Sequence, residues 1–374
     1  MKKTFLTTAL LVALSHFGWA QTSINKAKLD SYFQNLETHN KFMGSVAVSQ
    51  NGQIIYSKSI GFADVEKNQK ANENTKYRIG SITKTFTTVL VLKAVEDKKL
   101  SLDQTIEKFF PTIPNANKIT IKQLLGHRSG IHNFTNDQEY LTWYTQAKTE
   151  KEMVEHITKI GSDFEPDSKA DYSNSNYVLL TYILEKTYSQ SYADLLDKHI
   201  IKPLGLKNTK FGGKINTTNN ESKSYSYAGS WKEEPETDMS IPLGAGGIIS
   251  TPTDLTQFSD ALFGGKLLKA ESLELMKTVV DNYGLGLFKI PFYDKTGFGH
   301  TGGIDNFTSM FSYFPDGNIS YVLTSNGTNY KNNNISIAVL SAIYGKEYDI
   351  PEFSSYEVKA EELVPGDIVI LEEG

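Results

Sequence analysis

The sequence predicts an α/β (α+β) protein, with an antiparallel sheet flanked by helices plus a mostly helical lobe. Two hairpin signals, one toward each end of the chain, indicate the sheet. Alternating apolar runs flank Asn51-Gly52 in the first and Asp316-Gly317 in the second, and both dipeptides favour tight turns between paired strands. The third observation is that the interval between the hairpins carries mostly helical patterns. We therefore expect one α/β unit built from both ends of the chain, with a helical lobe at about residues 100–235 inserted.

The first hairpin covers residues 45–56, and an amphipathic helix is predicted after it. Apolar side chains recur at helical spacing from Ile82 to Ala94, and the run stops in the polar segment 96–99, where we expect the helix to end. A second apolar helix is predicted directly after Asn174.

The C-terminal third of the chain alternates helix and strand signals. A helix is predicted near residues 252–263, because Thr251 is a good N-cap, Pro252 suits the first helical position and Asp254 adds an acid at N3. The second hairpin joins a strand from 307 to 314 with one from 319 to 324, and a helix from 335 to 344 follows it.

Ser81 and Lys84 lie three positions apart at the start of the first predicted helix. Residues at this spacing share a helix face, so the amine can lie beside the hydroxyl. A serine needs an adjacent base to become nucleophilic, and a lysine serves only when its surroundings lower its pKa. The pair therefore suggests acyl transfer. The alternative is that Ser81 is only an N-cap and Lys84 a solvated first-turn residue.

Two further motifs favour catalysis: Tyr172-Ser-Asn174 and the run His300-Thr301-Gly-Gly303. Together with Ser-x-x-Lys they resemble the signature elements of the serine penicillin-recognising enzymes, in the branch of class C β-lactamases, D-Ala-D-Ala carboxypeptidases and related esterases. The resemblance implies a β-lactamase/transpeptidase-like fold. It extends to the segments 124–131, 164–174 and 246–255, and departs from the family pattern at Arg128, Asp167 and Asp305-Asn306.

The resemblance also implies roles for individual residues. Ser81 would be the acylated nucleophile and Lys84 its main base, and Tyr172 would relay the proton to the leaving group. Asn174 would hydrogen-bond the acyl amide of the substrate. The backbone N–H groups of Ser81 and Gly303 would form the oxyanion hole, with Gly303 allowing the close approach of the backbone.

The third motif has two candidate positions, since a literal Lys-Thr-Gly starts at Lys295. We place the motif at His300, because from there the chain runs into the second hairpin, and we expect Lys295 in the preceding connection. His300 and Thr301 are then substrate-binding residues, with the imidazolium or its N–H contacting a substrate carboxylate. The alternative is a structural, hydrogen-bonded imidazole.

No metal or cofactor is expected. The spacing of Gly297 to Gly302 matches a dinucleotide-binding G-x-G-x-x-G, but the segment enters a strand instead of opening a helix. His127 and His132 lack a partnering carboxylate in the sequence, and cysteine is absent, so no zinc site is indicated.

The N-terminal 20 residues are predicted to be a secretory signal, with Lys2-Lys3, an apolar stretch from Phe5 to Leu14 and small residues before Gln21. That stretch is too short for a transmembrane anchor. We expect a periplasmic or secreted protein. Its formal net charge of −5 disfavours nucleic acid and anionic membrane as partners.

The hydrolase domain is predicted to cover residues 21–350, followed by a tail at 351–374 that could begin a truncated second domain. Four aromatic residues are expected to shape the pocket: Tyr140, Trp143, Tyr144 and Trp231. Ser129 is the second candidate nucleophile.

The predicted function is hydrolysis of an amide or ester in a small-molecule or peptide substrate, with peptidoglycan fragments among the candidates. A D-Ala-D-Ala carboxypeptidase-like activity is slightly favoured over an esterase, and a β-lactamase comes third. The rival hypothesis is a catalytically silent homologue that binds peptidoglycan or acts as a scaffold.

Overall fold

The computed structural model describes residues 24–353. Its helices are α1 (Lys26–Thr38), α2 (Thr83–Glu96), α3 (Ile121–Leu125), α4 (Glu150–Ile160), α5 (Asn174–Tyr188), α6 (Tyr192–Leu196), α7 (Lys202–Leu204), α8 (Pro252–Phe263), α9 (Ala270–Lys277) and α10 (Asn332–Ile343). Its strands are β1 (Phe42–Gln50), β2 (Gln53–Ile60), β3 (Phe62–Asp64), β4 (Gln69–Lys70), β5 (Tyr77–Arg78), β6 (Lys210–Phe211), β7 (Tyr225–Tyr227), β8 (Trp231–Glu233), β9 (Ile248–Ser250), β10 (Phe288–Phe292), β11 (Lys295–Ile304), β12 (Phe307–Phe314) and β13 (Ile319–Thr328). The predicted signal at 1–20 lies outside the described residues.

A six-stranded antiparallel sheet forms the centre of the fold, in the order β10-β11-β12-β13-β1-β2. Both ends of the chain contribute to it, because β1 pairs with β13 from Phe42 opposite Thr328 to Gln50 opposite Ile319. The predicted first hairpin is confirmed. Its turn residues Asn51 and Gly52 both have positive φ, 51° and 76°, as a tight two-residue turn requires.

The second hairpin is confirmed as well, since β12 covers the predicted residues 307–314 and β13 begins at Ile319. The helix predicted from the Thr251 N-cap also forms: α8 starts at Pro252, and the Thr251 side chain accepts a hydrogen bond from the backbone N–H of Asp254. The expectation for Lys295 is wrong. This residue opens β11 instead of lying in a connection, because β11 starts five residues before the motif.

Each face of the sheet is covered by helices. Alternate residues of β13 point to opposite faces, as in any strand: Tyr321 joins a cluster with α1 and α10, whereas Val322 joins a larger cluster with α2 and α8. In the larger cluster the rings of Phe86 and Phe258 stack 3.7 Å apart. Helix α2 is therefore enclosed by other elements, which explains how a lysine in its first turn becomes buried.

The interval 100–235 contains α3 to α7 and the short strands β6 to β8. Its apolar side chains belong to the same cluster as α2 and α8, so the segment packs on the rest of the domain without a core of its own. At the other end, the first residues of the predicted tail contact α1: Asn35 donates to the carbonyl oxygen of Pro351 at 2.5 Å. The remainder of the tail, from residue 354, lies outside the described residues.

Candidate active site

Ser81 lies in a tight 3-10 turn, Gly80–Ile82, that links β5 to α2. Ser81 was predicted to lie in the first turn of the helix, but the helix begins two residues later, at Thr83. Gly80 has a φ of +49°, and a Cβ atom there would lie 2.7 Å from the backbone nitrogen of Gly303. The turn thus brings Ser81 against the end of β11.

Lys84 is fully buried, and its amine contacts three oxygen atoms. Nζ lies 2.9 Å from Ser81 Oγ, 2.7 Å from Asn174 Oδ1 and 2.7 Å from the carbonyl oxygen of Ala245. The last two oxygens can only accept hydrogen bonds. A neutral amine has two hydrogens and one lone pair, so it can donate to both of them and leave its lone pair for the Ser81 hydroxyl.

Burial lowers the pKa of Lys84 well below its ordinary value of 10.5, because a charged ammonium is poorly solvated inside the protein. No described carboxylate forms an ion pair with Lys84 that would oppose this shift. The neutral amine is the form that can accept a proton from a serine.

Tyr172 lies beside this pair on the segment that leads into α5. Its ring centre is 4.8 Å from the Nζ atom of Lys84. Burial raises the pKa of the Tyr172 hydroxyl above its usual 10, and the neighbouring Ser81 hydroxyl opposes part of that rise. The phenol therefore remains protonated at neutral pH, with the Ser81 hydroxyl as a neighbour.

His127 is a neighbour of Tyr172 that the sequence analysis did not assign to the site. Its ring centre lies 4.4 Å from that of Tyr172, and its Nδ1 atom accepts a hydrogen bond from the backbone N–H of Ser173 at 3.2 Å. Burial lowers the pKa of His127 well below 6.5. The His127 ring packs against the ring of Tyr172. The sequence signal that could have pointed to His127 is its position in segment 124–131, which resembles the family pattern.

Asn174 is the first residue of α5 and connects two parts of the site. Its Oδ1 atom accepts from Lys84, and its Nδ2 atom donates to Thr135 Oγ1 at 2.9 Å. These two partners fix which side of the amide carries the oxygen. Thr135 is a second neighbour that the motifs did not reveal.

The end of β11 forms the opposite wall of the site. The expectation that Gly303 is the glycine that allows the close backbone approach is wrong. A Cβ atom on Gly303 would find only the Phe307 carbonyl oxygen, 4.0 Å away, whereas one on Gly302 would overlap the carbonyl oxygen of Ile79. The close backbone approach therefore requires glycine at 302 and 80. The same Ile79 oxygen accepts a hydrogen bond from Ser309 on β12 at 2.8 Å.

His300 differs most from its expected role as a possible cation. It is 1% exposed, its ring packs 4.3 Å from that of Phe288, and its Nδ1 atom donates to the carbonyl oxygen of Thr301 at 2.6 Å. Burial is the main cause that lowers the pKa of His300 to about 3, and the neighbouring Lys84 amine adds to the shift. An imidazole with this pKa is neutral at physiological pH and cannot act as an imidazolium toward a carboxylate.

Thr301 and Lys295, the other residues considered for the third motif, also supply no cation to the site. Thr301 is exposed on the opposite side of the strand from His300. Lys295 lies at the far end of β11 and forms an ion pair with Asp316. The part of the motif that lines the cavity is Gly303, whereas Lys295 is paired with Asp316 at the other end of the strand.

A cavity of about 310 Å³ opens in front of Ser81, at the lower end of the range for small-molecule sites. Its lining includes Ser81, Asn174, Gly303, Phe134, Thr135, Tyr140, Leu141, Tyr144, Glu234, Pro235, Thr237, Pro242 and Asp305. Two of the four aromatic residues expected there, Tyr140 and Tyr144, are among these residues.

The other two aromatic residues lie outside the cavity wall, contrary to expectation. Trp143 stacks on Phe134 with ring centres 6.0 Å apart, and Trp231 packs on Tyr227 at 4.8 Å. The alternative nucleophile Ser129 is 1% exposed and donates to Asn176 Oδ1 at 2.6 Å. No basic side chain contacts it in the described part of the chain, so the geometry favours Ser81.

An ion-pair network behind the wall joins three segments of the site. Arg78, 2% exposed, donates to Asp305 Oδ2 at 2.9 Å and to Glu236 Oε2 at 2.7 Å. Asp305 in turn accepts from the backbone N–H and the hydroxyl of Thr237, at 2.9 and 2.6 Å. The turn after β11, the strand before Ser81 and the loop at 234–237 are thus held together. Among residues 24–353, no cluster of acidic and histidine side chains suits a metal ion.

Comparison with known proteins gives a consistent result. A family model described as Beta-lactamase matches residues 29–342. A teichoic acid D-alanine hydrolase of Staphylococcus aureus is 30% identical over 285 residues, which cover 74% of this chain and 69% of that protein. The D-amino acid amidase from Ochrobactrum anthropi SV3, solved with L-phenylalanine amide, superposes with a TM-score of 0.74 at 27% identity, covering 85% of this chain and 99% of that chain. The octameric penicillin-binding protein homologue from Pyrococcus abyssi gives a TM-score of 0.77 at 26% identity, over 87% and 78% of the two chains.

Proposed function

This chain belongs to the beta-lactamase family, and we propose that it forms an acyl-enzyme at Ser81 and cleaves an amide or ester of a D-amino acid. Family membership confirms the predicted fold and the predicted class of enzyme, a serine hydrolase. The roles of individual residues and the nature of the substrate are the proposal.

The observation that carries the proposal is the contact between Ser81 and a buried lysine whose surroundings lower its pKa. Lys84 Nζ lies 2.9 Å from Ser81 Oγ, and burial lowers the pKa of that amine. A serine with a base at this distance has what a nucleophile requires. A silent homologue would have no use for a buried lysine in contact with a serine that lines a cavity.

In the proposed reaction, Ser81 Oγ attacks the substrate carbonyl carbon while its proton passes to Lys84. The carbonyl electron pair moves onto oxygen, where the N–H groups of Ser81 and Gly303 would stabilise the charge. The C–N or C–O bond then breaks as Tyr172 gives its proton to the leaving amine or alcohol, and the proton held by Lys84 replaces it on Tyr172. Water attacks the acyl-enzyme, gives up a proton to the same groups, and frees the acid and Ser81.

A D-amino acid is the substrate class that the relatives favour. One relative is named for D-alanine on teichoic acid and another for D-amino acid amides. A D-Ala-D-Ala carboxypeptidase or a β-lactamase would have to bind a carboxylate. With His300 neutral and Lys295 paired at the far end of its strand, this site is less suited to that task. We therefore place an amide or ester ahead of the carboxypeptidase.

We extend the proposal to export. Residues 1–20 carry the pattern of a secretory signal. Within residues 24–353, the helices are too short or too polar to cross a bilayer. A small D-aminoacyl compound, free or attached to a cell-wall polymer or a peptidoglycan fragment, is then the substrate that such an enzyme would meet.

Covalent labelling tests the proposed nucleophile. We expect a fluorophosphonate probe to add one mass equivalent to the wild-type protein and none to Ser81→Ala. Ser129→Ala, a change at the alternative serine, should still label. The Ser81→Ala protein should keep its melting temperature, because a half-exposed hydroxyl facing a cavity adds little packing.

Single labelling that persists in Ser81→Ala would place the nucleophile elsewhere. A wild-type protein that neither labels nor releases D-alanine from D-alanine amide would favour the silent homologue. D-Alanine release from wild type that disappears in Ser81→Ala supports both parts of the proposal.

A further inference from the structure

The charged groups of the cavity wall are all acidic. Among the lining residues only Glu234 and Asp305 carry a charge. The Asp305 carboxylate is fully buried and paired with Arg78. Glu234 is half-buried, and among the described residues no side chain forms a hydrogen bond or ion pair with its carboxylate. Glu234 therefore lines the cavity in front of Ser81 with a carboxylate that has no side-chain partner among residues 24–353.

The cations behind the wall do not offset this charge. Burial lowers the pKa of Lys84 well below 10.5 and that of His300 to about 3. Arg78 is held between Asp305 and Glu236 at 2.9 and 2.7 Å. Any ligand of the cavity thus meets a net negative wall.

The pKa of Tyr144, on the same wall, is affected by these negative charges. Its pKa is raised first by burial and then by the negative charges of Asp305 and Glu234. Those carboxylates are therefore close enough to the cavity to affect a group that lines it. The faces of Tyr140 and Tyr144 also suit a cation, since aromatic rings attract positive charge.

We propose that Glu234 binds the free ammonium group of the substrate's D-amino acid, and that the enzyme selects aminoacyl substrates with an unblocked amine. This inference rests on the proposed function, because it concerns the same cavity. In an α-amino acid the amine and the carbonyl carbon are attached to one carbon atom. A single residue can therefore present its carbonyl to Ser81 and its ammonium to a carboxylate on the wall of so small a cavity.

The inference makes a prediction about charge. A substrate with a free amine is attracted, one with an N-acetyl group loses the ion pair, and one with an N-succinyl group brings a second carboxylate into a negative cavity. We expect kcat/KM to decrease in that order. A cavity that attracts anions at the position of the substrate's α-amine would reverse the order.

The test compares D-alanine p-nitroanilide with its N-acetyl and N-succinyl derivatives in wild type, Glu234→Gln and Glu233→Gln. Glu233 is the matched control, because it is the adjacent residue, lies outside the lining and pairs with Lys223 at 2.7 Å. A hydrogen bond to a charged group contributes about 1.5–3 kcal/mol, equivalent to a roughly 10- to 150-fold change. We expect Glu234→Gln to lose that factor in kcat/KM on the free-amine substrate and less than about threefold on the N-acetyl substrate.

Equal losses on the two substrates, or a wild-type preference for the N-succinyl compound, would overturn the inference while leaving the proposed function intact. Calorimetric binding of D-phenylalanine amide, measured in the Ser81→Ala protein that cannot form the acyl-enzyme, supplies a readout that needs no turnover. Glu234→Gln should weaken that binding and leave binding of the N-acetyl derivative unchanged, and equal affinities would overturn the inference. Loss of Ser81 labelling, in contrast, counts against the proposed function.

Discussion

Lys84 should set the acidic side of the pH dependence. The reactive form is the neutral amine, and burial lowers its pKa, so activity rises as pH increases through that lowered value. Tyr172, whose pKa is raised above 10, should cause no fall below about pH 10. His300, with a pKa of about 3, stays neutral throughout and should add no step near pH 6.5.

The rate of Ser81 labelling by an uncharged fluorophosphonate measures this profile without titration of the substrate. We expect one acid limb and then a plateau, with the same limb in wild type and in His300→Gln. A decline between about pH 6 and pH 7 that disappears in His300→Gln would show that the histidine acts as a cation after all.

At the scale of single residues, the sequence was informative about chemistry and uninformative about environment. Ser81, Lys84, Tyr172 and Asn174 follow from motifs, and the structure brings them together. The charge of His300 could not be predicted, because it depends on burial by Phe288, a residue of another strand. Glu234 belongs to no motif and becomes notable only once the cavity and its other charges are known.

At the scale of elements, the point where Gly302 of β11 meets the backbone of Ile79 should tolerate no side chain. Gly302→Ala would place its Cβ on the carbonyl oxygen of Ile79, so the strand and the turn must separate. We expect slower Ser81 labelling by at least about tenfold, because the oxyanion donors lose alignment, and a melting temperature lowered by several degrees.

Gly303→Ala is the matched control for the melting temperature, since its Cβ would have no protein atom closer than 4.0 Å. Its stability should stay close to that of the wild type. If the two alanine variants melt at the same temperature, the close approach at Gly302 is not a structural constraint.

The hairpins were predictable because turn chemistry is local. Asn51-Gly52 supplies both positive φ angles that its turn needs, and the strands on either side follow from alternation. The 3-10 turn at Gly80–Ile82 was not predicted. Its shape depends on contact with Gly302 and Gly303, more than 200 residues away in the chain, and no local pattern encodes such a contact.

At the scale of the whole molecule, the exported form should start after the signal. If the chain is processed as its N-terminus predicts, the secreted protein begins at Gln21 and lacks Lys2 and Lys3. Intact-mass measurement of periplasmic and secreted fractions checks this prediction. Replacing the apolar stretch at 5–14 with polar residues should retain the full-length protein in the cytoplasm. Full-length mass in the exported fraction would contradict the cleavage site.

The general architecture could be predicted from the sequence, because each hairpin is locally specified and both lie near chain ends. The strand order could not. That β13 lies between β12 and β1 depends on which apolar edges fit each other, and on helices α1 and α10 covering one face together.

The pairing of β1 with β13 also has a consequence for synthesis. Roughly 270 residues separate the two strands, and a ribosome adding about 5–20 residues per second needs roughly 13–54 s to make them. Throughout that time β1 has only β2 as a paired neighbour, and β11, which carries Gly303, is joined to the N-terminal strands only after β13 is made. The growing chain is therefore an open, unfinished sheet without hydrolase activity, which is the unfolded state that the proposed export requires.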